Sequence, residues 1–406
     1  MRRLAWVLLI LFTFAIPWEF SLDIGEPYGN VARVIGILLL MVAIPAVLHA
    51  GRLRTPGLVQ WVVLGFYLWF CCSYSWTIDQ QATLEKMRGY FQEMMIVWLI
   101  WEFAERPHDL RALLRAYVAG SWVLAVLTVV NLASAEALAS GQIRFVAMGQ
   151  DPNDVARFLD LGFPLAALLA SCEPRWPGRL LAMGYLPLGL VAVLLTASRE
   201  GFLAAVVALA GCALLLQRGR GGIKTAAAFA SPLVAFGLWF GVPHETFERL
   251  ATIPAQLAGG DLNQRMNIWS AGWHAFVRAP WLGTGAGTFV SAAGMDPQDT
   301  AHNTALSILA GGGLFALFFA ACIVAATVRS LVRTRGTLLL ALTTVFVVWM
   351  ITSLVATVEE SRTTWLLLGL IAVAGRLAIE DPLGMDACFA NRSRPLNPTF
   401  TAQPAL

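Results

Sequence analysis

The chain has 406 residues, of which 58% are hydrophobic and only 13% are charged. Soluble globular proteins carry about 25% charged residues, so this composition excludes a soluble domain and indicates that lipid surrounds most of the chain. The formal net charge of +3 implies no surface that would bind nucleic acid.

The first apolar run follows Met1-Arg2-Arg3 and ends at Pro17. It resembles the start of a signal peptide, but no small-x-small cleavage site follows it. We therefore expect an uncleaved first transmembrane span. The six cysteines show no CxxC or Cys/His spacing, so we expect neither a disulfide framework nor a metal site.

Twelve apolar runs approach the roughly 20 residues that a membrane-spanning helix requires. They cover residues 4–18, 31–48, 57–73, 89–104, 112–132, 155–172, 179–196, 200–217, 223–242, 302–328, 337–357 and 363–380. The fourth run is the weakest, because Glu93 and Glu102 lie within it. The sequence thus predicts an all-α polytopic membrane protein with about 12 transmembrane helices.

The distribution of basic residues predicts the orientation of these spans. If each run crosses the membrane once, most of the 28 basic residues fall on the side of the N-terminus. Cytoplasmic loops are enriched in Lys and Arg. We therefore expect a multi-pass protein of the bacterial inner (cytoplasmic) membrane, with both termini in the cytoplasm.

The connections divide the chain into four parts. Residues 1–242 contain the first nine spans, and residues 302–380 contain the last three. Between them, residues 243–301 form one long loop on the periplasmic side, and long loops in compact proteins usually carry function. The tail, residues 381–406, is rich in Pro, Asn and Arg, and we expect it to be disordered in the cytoplasm.

The long loop contains one strongly periodic segment, residues 262–277. An apolar stripe at helical spacing predicts an amphipathic helix that lies on the membrane, with Asp261 or a neighbour as its cap. The stripe consists of Leu262, Met266, Trp269, Trp273 and Phe276. Further along, Gly283-Thr-Gly-Ala-Gly287 follows no strand, so we interpret it as a flexible turn rather than a nucleotide-binding loop.

Three residues at the outer membrane boundary are candidates for chemistry. Arg199 lies in a tight turn at the start of the eighth span, where free backbone N–H groups favour anions. Arg265 opens the amphipathic helix, and His302 begins the tenth span. A helix N-terminus disfavours imidazolium, so we expect His302 to be mostly neutral at pH 7. Each also has an ordinary explanation: a lipid-facing arginine, a solvated arginine and a structural histidine.

Other outer charges could support a site. Asp154 could cap the sixth span, and no arrangement of the carboxylates suggests a metal site. The candidates are Lys86, Arg88, Asp151, Asn153, Asp154, Arg157, Asn303, Glu359 and Arg362.

In combination, these segments resemble the signature of the O-antigen ligase and polymerase superfamily. The similarity is clearest over residues 145–315. It is carried by Arg265-Met-Asn-Ile-Trp269, by Pro280-Trp-Leu-Gly-Thr-Gly-Ala-Gly-Thr-Phe289, by His302-Asn303 with Leu306 and Gly311-Gly-Gly-Leu314, by Ser198-Arg-Glu-Gly201 and by Asp151-Pro-Asn-Asp154.

The resemblance implies a membrane glycosyltransferase. Such enzymes move a glycan from undecaprenyl diphosphate to an acceptor hydroxyl on the periplasmic face, and they need no cofactor and no metal. In ligases the acceptor is lipid A–core oligosaccharide, and in polymerases it is another carrier-linked repeat unit. Arg199 and Arg265 would bind the diphosphate, since guanidinium groups suit it. His302 would take the proton of the attacking hydroxyl, with inversion at the anomeric carbon.

Two other classes compete with this interpretation. A secondary transporter or a lipid-linked-glycan flippase also has many spans, but it usually carries charges near the bilayer midplane. A scaffold that only binds lipid-linked sugar is the third possibility. The sequence alone does not distinguish a ligase from a polymerase, nor does it identify the glycan, the acceptor or the oligomeric state.

Overall fold

The computed structural model describes residues 1–25, 29–132, 144–217, 242–260, 265–296 and 299–389. Within these ranges the chain is almost entirely helical. The helices are α1 (Arg2–Ala15), α2 (Val31–Ala50), α3 (Leu58–Cys72), α4 (Gln80–Phe103), α5 (Pro107–Leu132), α6 (Pro152–Cys172), α7 (Trp176–Leu195), α8 (Arg199–Gln217), α9 (His244–Ala251), α10 (Ile253–Leu257), α11 (Arg265–Arg278), α12 (Phe289–Ala293), α13 (Thr304–Leu331), α14 (Gly336–Ser353), α15 (Arg362–Glu380) and α16 (Pro382–Phe389).

Ten of the described helical segments are long and apolar enough to cross a membrane. They are α1 and α3 with their 3-10 extensions to Ser21 and Ser75, and α2, α5, α6, α7, α8, α13, α14 and α15. Each coincides with a predicted span. The fourth predicted span lies within α4, which is a helix but is not among the ten, and most of the ninth (223–242) lies outside the described residues. The prediction of an all-α polytopic membrane protein is confirmed.

Helices α6 and α15 form the centre of the bundle, because 94% and 83% of their apolar windows are buried by other helices. Close packing around α6 depends on glycines. A Cβ on Gly162 would lie 2.5 Å from the hydroxyl of Tyr185, and this hydroxyl donates to the carbonyl of Leu159 at 2.7 Å. Small residues let membrane helices approach closely, where few other forces drive association.

The starts of several helices meet at one end of the bundle. We call it the loop end because the described parts of the long loop, residues 243–260, 265–296 and 299–301, lie there. Ser198, before α8, donates to Asn153 at the start of α6. Thr304, at the start of α13, donates to the carbonyl of Ala356, before α15. Helix N-termini carry partial positive charge, so the loop end favours anions. The opposite end carries the starts of α3, α5 and α7.

The glycine-rich segment that follows Pro280 is tightly packed, so the expected flexible turn is wrong. The N–H groups of Thr284 and Gly285 donate to the carbonyls of Ala310 and Gly311, both at 2.9 Å. The positive φ of +69° at Gly283 favours glycine. Helix α13 breaks at Gly313, also at positive φ, and this break gives the segment room to approach.

The start of the tail is also ordered, contrary to the expectation of disorder. Helix α16 buries Met385, Cys388 and Phe389. Its last carbonyls accept from Arg111 at 3.1 Å and from Thr337 at 2.8 Å. These contacts come from α5 and α14, which the sequence pattern could not place beside the tail. The remaining tail, residues 390–406, lies outside the described residues.

Candidate active site at the loop end

Arg199 is the first residue of α8 and follows a tight turn from α7. In that turn Ala197 has a left-handed backbone, with φ of 48°, which is unusual for a residue other than glycine. Nε of Arg199 donates to the carbonyl of Arg249 at 3.3 Å, and Nε of Arg249 donates back to the carbonyl of Ala197 at 3.0 Å. This reciprocal pair fixes helix α9 of the long loop against the turn.

A third arginine, Arg144, lies beside the same turn. Its Nε donates to the carbonyl of Thr196 at 3.1 Å and its Nη2 to the amide oxygen of Asn153 at 2.9 Å. The same amide oxygen accepts the hydroxyl of Ser198 at 2.8 Å. Burial first, and then the nearby charge of Arg249, lowers the pKa of Arg144 below its ordinary value.

Arg265 is the first described residue of α11, and it forms an ion pair with Glu200 at 2.8 Å. Both side chains are largely buried, with exposed fractions of 14% and 9%. The pair joins the long loop to α8 one residue after Arg199. The expected cap, Asp261, lies outside the described residues.

His302 is half-buried and lies just before α13. The N-cap of this helix is Asn303, whose side chain accepts from the N–H of Leu306. The prediction that His302 lies in the first helical turn is therefore wrong. His302, like Ala197, has a left-handed backbone, with φ of 46°, and such conformations cluster at functional sites. The indole of Trp269 donates to its carbonyl at 3.3 Å. Burial and the charge of Arg265 lower the pKa of His302 below 6.5.

We call Arg144, Arg199, Arg249 and Arg265 the arginine cluster. The charges of Arg199 and Arg249 both act on Arg144. His302 lies close enough to Arg265 for the charge of this arginine to lower the pKa of the histidine. Asp151 and Glu200 are the acidic groups near Arg144, and their charges offset part of the lowering of its pKa. Because the cations outnumber these carboxylates, the cluster suits an anionic ligand.

The start of α6 supports the cluster. Asp151 is the cap of α6 and accepts from the N–H groups of Asn153 and Asp154, so the expectation that Asp154 caps this helix is wrong. Asp154 instead forms an ion pair with Arg157 at 2.8 Å. Further along, Asp160 is fully buried, and neither carboxylate oxygen has a hydrogen-bond partner in the described part of the chain.

A cavity of about 520 Å³ opens beside His302, since residues 299–301 line it. Its other polar walls come from α4 and from the loop before α15. Lys86 forms an ion pair with Glu360, and its ammonium group lies 5.2 Å from the ring centre of Tyr90. Glu93 lines the cavity, is 5% exposed, and has one carboxylate oxygen with no hydrogen-bond partner among the described residues.

Residues 184–321 match the family model described as O-antigen ligase. This segment contains Arg199, Arg249, Arg265, His302 and the packed glycine segment. The match covers about a third of the chain and supports the resemblance to the O-antigen ligase and polymerase superfamily. A search of the curated proteins finds no match.

The remaining predicted residues of this O-antigen ligase-like chain have other contacts. Arg362 pairs with Glu19 and donates to Gln92 at 3.3 Å, which ties α15 to the first span and α4. Arg88 is exposed and forms no ion pair with any described residue. Glu359 is 3% exposed, and burial raises its pKa to about 7.

Sequence reasoning missed Arg144 and Arg249. A signal for both was present, because each is a basic residue on the side of the membrane where basic residues are scarce. Across the described ranges, no group of three or more His, Cys, Asp or Glu residues could hold a metal ion.

Proposed function

We propose that this protein transfers a glycan from an undecaprenyl-diphosphate carrier to an acceptor hydroxyl, and that the reaction is O-antigen ligation to lipid A–core oligosaccharide. The observation that carries the proposal is the arginine cluster beside His302 at one membrane boundary. The match of residues 184–321 to the O-antigen ligase family model supports a glycosyltransferase in general. The donor, the acceptor and the roles of individual residues are our inference.

The arginine cluster would bind the diphosphate of the donor. Guanidinium groups donate two parallel hydrogen bonds to phosphate oxygens, and they do so best when already oriented. Arg199 and Arg265 are each held at a helix start by Arg249 and Glu200 respectively. In the transition state the leaving diphosphate gains negative charge, so fixed cations stabilise it more than the ground state.

His302 would act as general base. Its lowered pKa keeps the imidazole neutral at pH 7, so it can accept the acceptor's hydroxyl proton. The hydroxyl oxygen forms a bond to the anomeric carbon while the bond from that carbon to the diphosphate oxygen breaks. The electron pair of the broken bond leaves with the carrier diphosphate, and the configuration at the anomeric carbon inverts. The positive charge that stabilises the leaving diphosphate would come from the arginine cluster, so the reaction would need no metal ion.

The cavity beside His302 would hold the acceptor sugars. Carboxylates accept hydrogen bonds from sugar hydroxyls, and Glu93 and Glu360 both line the cavity. One oxygen of Glu93 has no partner among the described residues and is available for such a bond. The rings of Phe70, Tyr90 and Phe289 supply apolar walls against which a sugar ring can pack.

In this proposal the loop end faces the periplasm of a bacterial inner membrane. The orientation is supported by the arginines at the opposite end. Arg2, Arg54, Arg115 and Arg376 all lie there and form ion pairs with Glu102, Glu105, Glu173 and Glu380. Basic residues are retained on the cytoplasmic side.

The test is a transfer assay in vesicles that contain the purified full chain and radiolabelled carrier-linked glycan from the bacterium that makes it. Lipid A–core is added in one arm, and a second carrier-linked glycan in the other. We expect the wild type to label lipid A–core, and the His302→Ala variant to label neither acceptor. A ladder of carrier-linked products without labelled lipid A–core would instead identify a repeat-unit polymerase. Absence of both products from the folded wild type would contradict glycosyl transfer.

A further inference from the structure

A second cavity, of about 350 Å³, lies at the opposite end of the bundle from the candidate active site. It is formed where α3 begins and where α4, α13 and α15 end. Its polar walls are Gln60, Arg329, Ser330, Arg333, Arg376 and Glu380. None of these residues belongs to the arginine cluster or to the acceptor cavity, so glycan transfer does not explain the arrangement.

Two buried donor groups that line this cavity form no hydrogen bond with any described residue. Gln60 is fully buried, and its amide oxygen accepts from the N–H of Gly57 at 3.1 Å, whereas its amide nitrogen has no partner among the described residues. Arg376 is also buried, with two guanidinium nitrogens donating to the carbonyls of Trp101 and Ala104. Its Nε has no hydrogen bond, and lies 3.4 Å from the carboxylate of Glu380. Buried donors normally have partners, so an acceptor belongs between them.

The charges around the two donors define what kind of acceptor fits. Three guanidinium groups face the cavity against one carboxylate, that of Glu380. Arg329 and Arg333 form no ion pair with any residue of the described ranges. In addition, Leu58 and Val59 present the first turn of α3, a helix of 15 residues whose free N–H groups attract anions. An anion with several oxygens, such as a phosphate group, satisfies these groups together.

The cavity also opens sideways toward the lipid-facing surface of the bundle. Leu58 and Ile379 line it and are 50% and 60% exposed, although both are large apolar residues. Val59, Ala326 and Ala372 continue the apolar wall toward the interior of the bundle. A ligand with a phosphate head and an apolar tail therefore fits better than a soluble anion.

We propose that this cavity binds the phosphate head group of an anionic phospholipid, with an acyl chain along Leu58 and Ile379. Basic pockets between membrane helices bind anionic head groups in this way. Bound lipid would hold the end of α13 against the start of α3. Helix α13 begins directly after His302 and Asn303 and ends at the lipid cavity. Bound lipid would therefore stabilise a helix that contributes to both sites.

The experiment uses the purified full chain in mild detergent, with native mass spectrometry as the readout. Retention of phosphatidylglycerol is compared with retention of phosphatidylcholine, and inorganic phosphate is added as a competitor. The test variants are Arg329→Gln/Arg333→Gln and Gln60→Glu, which keeps the oxygen that accepts from Gly57 but repels phosphate. The matched control is Arg175→Gln/Arg335→Gln, which removes two exposed charges at the same end.

We expect the wild type and the control to retain phosphatidylglycerol over phosphatidylcholine. Each arginine beside the bound phosphate should contribute about fivefold, so the double variant should lose about 25-fold in affinity. Gln60→Glu should lose it as well, with an unchanged elution profile on size exclusion. Equal retention by the double variant and the control would overturn the site. Displacement of the lipid by millimolar inorganic phosphate would overturn the lipid as its occupant.

Discussion

The carboxylate of Glu200 lies 2.8 Å from the guanidinium group of Arg265, although 65 residues separate them along the chain. Glu200 is the second residue of α8, and Arg265 is the first described residue of α11. The ion pair therefore holds a cation from the long loop beside Arg199, which is the neighbour of Glu200. Orienting the arginine before substrate arrives removes part of the entropic cost of binding a diphosphate.

Replacement of Arg265 by lysine should lower glycan transfer by about 10²- to 10³-fold, the range found when one fixed donor to a developing charge is removed. Lysine keeps the charge and can still pair with Glu200, but it cannot donate two parallel hydrogen bonds to phosphate. The measurement is the initial rate of transfer in vesicles.

Arg278→Lys is the matched control for this change, because Arg278 is the last residue of the same helix and lies away from the cluster. It should transfer at close to the wild-type rate. A loss of less than threefold in Arg265→Lys, with full retention in the control, would remove Arg265 from diphosphate binding.

His302→Ala should abolish turnover but leave binding of the carrier-linked donor unchanged, because the arginine cluster remains. In the wild type, protonation of His302 removes the base. Since the pKa of His302 is lowered below 6.5, the transfer rate should be close to its maximum at pH 8 and reach half its maximum below pH 6.5. His274→Ala, on the exposed side of α11, serves as the control. A half-maximum above pH 7 would show that another group is the base.

The all-α class and most of the membrane helices could be predicted because long apolar runs have one stable form in lipid. The predicted fourth span, in α4, is not among the ten described segments that could cross a membrane. The candidate residues His302, Arg199 and Arg265 came from motif order and from basic residues in outer loops. Packing between distant segments could not be predicted. The sequence predicts a flexible turn at Gly283, but the structure has a packed segment there. The surface that it contacts comes from Gly311 and Gly313, which lie 28 and 30 residues further along the chain.

The amphipathic helix illustrates a second limit. The sequence predicts that its apolar stripe, with Trp269 and Trp273 on one face, lies on the membrane. In the structure Trp273 is 53% exposed, whereas Trp269 packs inward and donates to the carbonyl of His302. Small residues of the same helix, Gly272 and Ala275, are the buried ones. Spacing identifies an apolar face, but it does not reveal whether lipid or another helix covers it.

Glu359→Gln should stabilise the protein at pH 8 and have little effect at pH 5. The pKa of Glu359 is raised to about 7 from 4.5, chiefly by burial, so the folded state holds a proton that the unfolded chain releases between these values. Stability therefore falls as pH rises from about 4.5 to 7 and stays low above it. At about 1.4 kcal/mol per pH unit, the full cost is about 3 kcal/mol.

The measurement for Glu359 is the Tm from tryptophan fluorescence in detergent at both pH values. Glu245→Gln, an exposed carboxylate on α9, should change neither value. A stabilisation of Glu359→Gln that is equal at pH 5 and pH 8 would mean that the carboxyl does not titrate in this range.

Gly283→Ala should destabilise the protein far more than Gly294→Ala, although the two glycines have nearly the same backbone, with φ of +69° and +67°. An L-residue in this conformation costs about 1–2 kcal/mol, and Gly294→Ala should cost no more than that, because nothing lies within 4 Å of its new Cβ. The Cβ of Gly283→Ala would lie 2.5 Å from the carbonyl carbon of Gly311. Backbone must then move near the break at Gly313 in α13, the helix that directly follows His302 and Asn303. We expect a large fall in Tm, together with loss of transfer in whatever protein remains folded.

Since φ is matched, the difference between the two variants isolates the close approach of the glycine segment to α13. Equal Tm values for Gly283→Ala and Gly294→Ala would show that this approach contributes nothing to stability beyond the conformation of the two glycines.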